Sequence, residues 1–98
     1  MKTILSNFNK AFESRVRLGI MSVLAVNKSM DFTGLKETLA VTDGNLASHL
    51  RALEEAGYVT MHKSFINRKP NTNYTITKEG LENFESHLKA LEELISNR

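Results

Sequence analysis

The chain has 98 residues, 41% of them hydrophobic, with no cysteine and a formal charge of +2. This length allows one domain with a single modest core, and it excludes two ordinary domains. The lack of cysteine excludes disulfides and thiolate metal ligands and fits a reducing cytoplasm. The longest apolar-rich segment, residues 18–26, is too short to span a bilayer, and the start lacks the pattern of a signal peptide. We therefore expect a soluble cytoplasmic protein without a membrane partner.

The first predicted helix lies within residues 9–29, where apolar positions recur along one side. Residues 30–32 are long enough only for an edge strand. Thr33 can then cap a short helix over residues 34–40, the segment GLKETLA.

The third predicted helix begins at the N-cap Thr42 and runs to about Ala56, with Gly57 just past its end. Its buried side is formed by three leucines at i, i+4 and i+7, namely Leu46, Leu50 and Leu53.

Residues 58–65 alternate and are rich in β-formers, which predicts a strand. The turn-prone stretch 66–73 predicts a long loop before a second short strand at 74–77. Thr77 can cap a final helix from Lys78 to about Ser96. The predicted fold is mainly α with a small β-hairpin (α+β), in the order α-β-α-α-β-β-α. Two helices joined by a tight turn and followed by a hairpin form a winged helix-turn-helix, here a single domain over residues 1–98.

Charge is uneven along this order. Residues 56–78 hold four lysines or arginines and no acid, whereas residues 79–98 hold five glutamates against two cations. Basic segments are commonly just solvated, so the pattern alone only favours an anionic partner.

The side of the third helix opposite the leucines is small and polar near its start. A helix that enters the major groove needs small residues for close approach and groups that reach base edges. The alternative is the ordinary solvated side of an amphipathic helix. The candidate DNA contacts on this helix are Gly44, Asn45, Ser48, His49 and Arg51.

The predicted hairpin loop carries Arg68 and Lys69, and Lys63 lies on the strand before it. Such cations can follow a phosphate backbone or enter the minor groove. The alternative is a charged, solvated loop that prevents aggregation. We count all three among the candidate DNA contacts.

The final helix carries an apolar seam with spacings of three and four residues, typical of paired helices. We interpret it as a homodimer interface, part of which must also cover the chain's own core, against Phe8 and Phe12 of the first segment; purely internal packing is the alternative. The candidate interface residues are Phe8, Phe12, Leu81, Phe84, Leu88, Leu91 and Ile95.

Enzymatic and metal-binding functions find little support. His49, His62 and His87 fall on different predicted elements without ligand spacing, and no glycine-rich phosphate loop occurs. Ser48 and His49 are neighbours on one helix and would diverge, so they cannot form a nucleophile–base pair. We expect no catalytic residue, no metal and no cofactor.

The segments GLKETLAVTDGNLASHLRALEEAGYV and RKPNTNYTITKEG, preceded by RVRLGIMSVL, resemble winged-helix transcriptional regulators of the broad MarR and ArsR group. The resemblance covers about residues 12–95. It implies a homodimer on a pseudopalindromic DNA site, with the third helix in the major groove and the hairpin wing on the backbone or minor groove.

By positional match, the resemblance places Gly44, Asn45, Ser48 and His49 where such regulators touch bases, and Arg68 and Lys69 at the wing tip. Asp43 departs from the neutral polar residue common there, and it is excluded from the contacts because an acid repels phosphate; Glu55 is excluded too. Metal-sensing relatives use cysteine or histidine clusters, which this sequence lacks.

We therefore expect a sequence-specific, homodimeric DNA-binding transcriptional regulator. The alternative is a winged-helix adaptor that binds proteins and not DNA. The sequence identifies no effector ligand.

Overall fold

A computed structural model describes residues 4–96 of the chain. The described residues form four α-helices and a three-stranded antiparallel sheet with strand order β1-β3-β2. The elements are α1 (Arg15–Asn27), β1 (Ser29–Asp31), α2 (Phe32–Leu39), α3 (Asp43–Glu55), β2 (Val59–Ile66), β3 (Lys69–Ile76) and α4 (Lys78–Ser96), preceded by two short 3-10 turns (Ile4–Asn7 and Lys10–Phe12). This confirms the predicted order of elements and the α+β class.

Within the segment 9–29, where the first helix is predicted, α1 begins only at Arg15, and residues 10–12 form a separate 3-10 turn. Ser14 has an extended backbone, and its Oγ accepts a hydrogen bond from the Arg17 amide at 3.3 Å, so it is the N-cap of α1. Asn9 caps the preceding 3-10 turn in the same way, by accepting from the Ala11 amide. Both caps satisfy amides that a helix start leaves without a partner.

The second helix also begins earlier than predicted, at Phe32. Asp31 and not Thr33 is its N-cap, since the Asp31 carboxylate accepts from the Gly34 amide at 2.8 Å. The other oxygen of Asp31 accepts from the Asn71 side chain at 3.1 Å, which ties the start of α2 to β3.

The third helix follows its prediction closely. Thr42 caps it through the Asn45 amide, and its three leucines are fully buried. Gly57 follows with φ +81°, the left-handed conformation that glycine adopts at low cost.

The hairpin differs most from its prediction, because residues 66–73 are not a long loop. β2 and β3 pair in register from Val59–Ile76 out to Ile66–Lys69, which leaves a two-residue turn at Asn67 and Arg68. Both turn residues have positive φ (52° and 66°), as a type I′ turn requires. Proline has no N–H to donate to a neighbouring strand. β1 pairs only with residues 73–75 of β3, so at Pro70 the edge of β3 that faces away from β2 has no partner strand and needs no donor.

The core lies between the sheet and the helices. Its buried side chains include Phe12, Ile20, Met21, Leu24, Leu35, Leu46, Leu50, Leu53, Val59, Tyr74 and Phe84. Burial and the nearby Glu54 carboxylate raise the pKa of Tyr74 above its ordinary value. Near the start of α4, a Cβ on Gly80 would lie 2.2 Å from the carbonyl oxygen of Tyr58, the residue before β2. The close packing of α4 on this backbone therefore requires glycine.

The N-terminal turns are attached to α4 by a buried polar contact. His87 Nδ1 accepts from the Asn9 amide at 3.0 Å, and the Asn9 side chain donates to the Tyr58 hydroxyl at 2.9 Å. The His87 ring also makes T-shaped contacts with the rings of Phe8 and Phe12, at centroid distances of 5.2 and 5.4 Å. His87 is thus a structural residue of the core.

Candidate nucleic-acid interface

The outer side of α3 is exposed along its first three turns. Gly44, Asn45, Ser48 and Arg51 all lie on the surface, as predicted, while the leucines of the same helix face the core. Among the described residues, no heavy atom lies within 4 Å of the Cβ that an alanine would add at Gly44. Packing within residues 4–96 therefore gives no reason for glycine here, whereas close approach of a ligand would.

His49 lies at the edge of this surface and is half-buried. Its Nδ1 is 3.4 Å from Nη1 of Arg17, whose Nε donates to the Ala11 carbonyl at 2.7 Å. Arg17 has only donors, so it donates to the imidazole. Sequence reasoning missed Arg17, because its link to His49 spans 32 residues and no local pattern indicates it.

Two acids, Asp43 and Glu55, lie at the two ends of α3. The Asp43 carboxylate is 2.8 Å from Nζ of Lys36, an ion pair that joins α2 to α3. Exposed pairs add little stability, but this one offsets the negative charge at the start of α3. Glu55 is exposed at the opposite end of the helix.

The wing, defined here as residues 59–76, places its cations on the surface. Lys63, Arg68 and Lys69 are all exposed, with Lys63 on β2, Arg68 in the turn and Lys69 at the start of β3. Arg68 holds a φ of 66°, which costs about 1–2 kcal/mol for a residue with a Cβ. Glycine is the residue that a type I′ turn favours at this place.

The predicted interface residues divide into three groups, which are buried, half-buried and exposed. Phe12 and Phe84 are buried in the chain's own core, with ring centroids 5.6 Å apart at 90°, and so do not form a free surface. Phe8 and Leu81 are half-buried. The exposed group, between 39% and 50% exposed, consists of Leu88, Leu91 and Ile95; Leu94, which is not among the predicted residues, is exposed beside them.

Within residues 4–96, no group of three or more metal-ligating side chains is close enough to hold an ion. None of the helices in that range is long and apolar enough to cross a membrane.

Comparison with known proteins relates nearly the whole chain to one family. A model of the winged helix DNA-binding domain family matches residues 16–95. An uncharacterized protein of Methanocaldococcus jannaschii is 39% identical over 88 residues, which are 90% of this chain and 96% of that protein. A transcriptional regulator homologue of Pyrococcus horikoshii OT3 superposes with a TM-score of 0.87 at 34% identity, over 96% of this chain and 91% of that one.

A structure of overoxidized AbfR bound to DNA has a TM-score of 0.75 at 14% identity, over 92% of this chain and 66% of its own. At that identity the likeness is one of fold alone.

Proposed function

The chain belongs to the winged helix DNA-binding domain family and is a DNA-binding regulator of that family, and we propose that it acts as a homodimer on a pseudopalindromic duplex. In this proposal α3 lies in the major groove and the wing contacts the backbone or the minor groove. The two copies of α3 then lie about one DNA turn, about 34 Å, apart.

The position of Arg68 carries the proposal. A cation occupies a left-handed turn position that favours glycine, at the tip of a hairpin that has no acid. Backbone strain of this kind concentrates where a side chain has a function. A guanidinium at a hairpin tip suits phosphate oxygens and the narrow, electronegative minor groove.

The proposed contacts follow from position on these surfaces. Asn45, Ser48 and His49 offer donors and acceptors to base edges, and Gly44 lets the backbone of α3 approach the DNA. The cations proposed to contact phosphate or the minor groove are Arg51, Lys63, Arg68 and Lys69.

The proposed dimer uses the exposed part of the α4 seam. Leu88, Leu91 and Ile95 are spaced by three and four residues and flanked by charged side chains such as Glu92. A helix with this pattern buries its apolar side against a second helix. Two-fold symmetry would then present the same outer side of α3 to each half of the DNA site.

The test begins with selection of bound fragments from a library of genomic DNA and titration of the enriched duplex by fluorescence polarisation. Affinity should fall steeply with salt, because each neutralised phosphate releases counterions. The double variant Arg68→Ala/Lys69→Ala should bind every sequence more weakly. It should also reduce the slope of log affinity against log salt by the amount expected for the loss of about two phosphate contacts. The matched control, Lys10→Ala/Lys89→Ala, removes the same charge outside the wing and should retain both affinity and slope.

Equal losses in the two double variants would show that net charge, and not the wing, governs binding. Absence of binding to any duplex at low salt would overturn the proposal and favour the adaptor alternative.

A further inference from the structure

The wing exposes large apolar side chains as well as cations. Phe65 is 76% exposed and Ile66 is 54% exposed, although both lie on a regular strand. A water-exposed wing tip gains nothing from these residues, and charged residues would protect it better from edge-to-edge pairing.

The strand pairing shows how Phe65 is placed. Residues 59, 61, 63 and 65 share one face of the hairpin, and Val59 at its base is buried in the core. The face that packs on the helices at the base therefore continues outward to Phe65. There Phe65 stands directly opposite Pro70, so the outermost rung on this face is apolar on both strands.

Cations surround this apolar rung. Lys63 lies on the same face two residue pairs inward, and Arg68 lies in the turn beyond it. Between residues 56 and 78 there is no acid to repel a phosphate. An apolar centre with a cationic border complements a surface whose centre is apolar and whose border is anionic.

The minor groove of DNA is such a surface. Its walls are deoxyribose rings, which present C–H groups, and its borders are the two phosphate chains. A protein partner would need an apolar patch bordered by acids, and a second copy of this wing would bring like charges together.

We propose that Phe65, backed by Pro70, packs against the deoxyribose rings of the minor groove while Lys63 and Arg68 contact the flanking phosphates. The inference rests on the proposed function and adds an apolar contact to it. Phe65 would increase affinity without adding to the salt dependence, since no counterion is released by a contact between apolar groups.

The experiment compares Phe65→Ser with Phe65→Leu and with the control Val26→Ser, which alters a residue on α1 that is 83% exposed. The probe is a duplex of about 30 base pairs, about three helical turns, taken from the selection described above. Phe65→Ser should bind about tenfold more weakly with an unchanged salt slope, whereas Phe65→Leu and Val26→Ser should bind within about twofold of the wild type. Circular dichroism at rising temperature checks that all three variants fold like the wild type.

Hydroxyl-radical footprinting supplies a second measurement, because these radicals attack deoxyribose hydrogens along the minor groove. Phe65→Ser should lose protection of a few sugars at the flanks of the site and keep the rest of the footprint. Wild-type affinity and footprint in Phe65→Ser would overturn this inference and leave the proposed function intact. A smaller particle mass for Phe65→Ser in light scattering would also overturn it, because Phe65 would then belong to a contact between copies. If the wild type itself binds no duplex, the proposed function is the part that fails.

Discussion

Two helical glycines, Gly44 and Gly80, have opposite surroundings. Gly80 lies against backbone, so a Cβ there meets the Tyr58 carbonyl, whereas no described atom is near a Cβ at Gly44. Gly44 is explained by the DNA-contacting outer side of α3 that we propose, and Gly80 by the packing of α4.

The paired variants Gly80→Ala and Gly44→Ala separate these roles. Gly80→Ala should lower the free energy of unfolding by about 1–3 kcal/mol, because α4 or residue 58 must shift. Gly44→Ala should raise it, by up to about 1 kcal/mol, since alanine favours a helix, and should nevertheless weaken DNA binding. Urea unfolding and fluorescence polarisation on the same preparations measure both quantities. Unchanged DNA affinity in Gly44→Ala would remove that glycine from the proposed contacts.

At the scale of the elements, the residue at position 68 of the wing turn should lower the stability of the fold while it increases the affinity for DNA. Arg68→Gly provides the residue that a type I′ turn favours and should raise the free energy of unfolding by about 0.5–1 kcal/mol, after allowance for the added entropy of the unfolded chain. The same variant should weaken DNA binding and lower the salt slope by about one contact.

The control is Asn67→Gly, which alters the neighbouring turn position, also at positive φ, and keeps the cation. It should bind DNA like the wild type. If Arg68→Gly binds as well as Asn67→Gly, the side chain of Arg68 does not contact DNA.

Elements with strong local signals were predictable from the sequence, and elements defined by distant contacts were less so. Thr42, the leucines of α3 and Gly57 act within a few residues of one another, and the predicted helix matches α3. Asn71 and Asn73 are turn-prone by type, but cross-strand pairing with β2 overrides that preference. The side chain of Asn71 also binds Asp31, 40 residues earlier, a contact that no local pattern indicates.

At the scale of the molecule, the long α4 has two sides with different uses. Phe84 and His87 are buried and pack in the chain's own core, while Leu88 and Leu91 are exposed. Sequence periodicity identified the seam but could not divide it, because core packing and helix pairing need the same spacing.

The double variant Leu88→Glu/Leu91→Glu should therefore disrupt the proposed dimer and leave the fold intact. Light scattering at micromolar concentration should give the dimer for wild type and a mass near the 11.0 kDa of one chain for the variant. The variant should also bind DNA much more weakly, because two half-sites are then bound independently. A control, Glu82→Gln/Glu93→Gln, changes the charge of exposed residues away from the seam on the same helix and should remain dimeric. A wild type of 11.0 kDa would overturn the dimer and leave DNA binding by a single chain to be measured.

The contact between Arg17 and His49 also selects one tautomer of the neutral imidazole. With Nδ1 accepting from Arg17, a neutral ring carries its proton on Nε2, which is then a donor. In the major groove such a donor is matched by N7 or O6 of guanine, N7 of adenine or O4 of thymine, and it is opposed by the amino group of cytosine. A base read by His49 in the proposed complex would thus be any base but cytosine, a restriction on the binding site imposed by a residue of another helix.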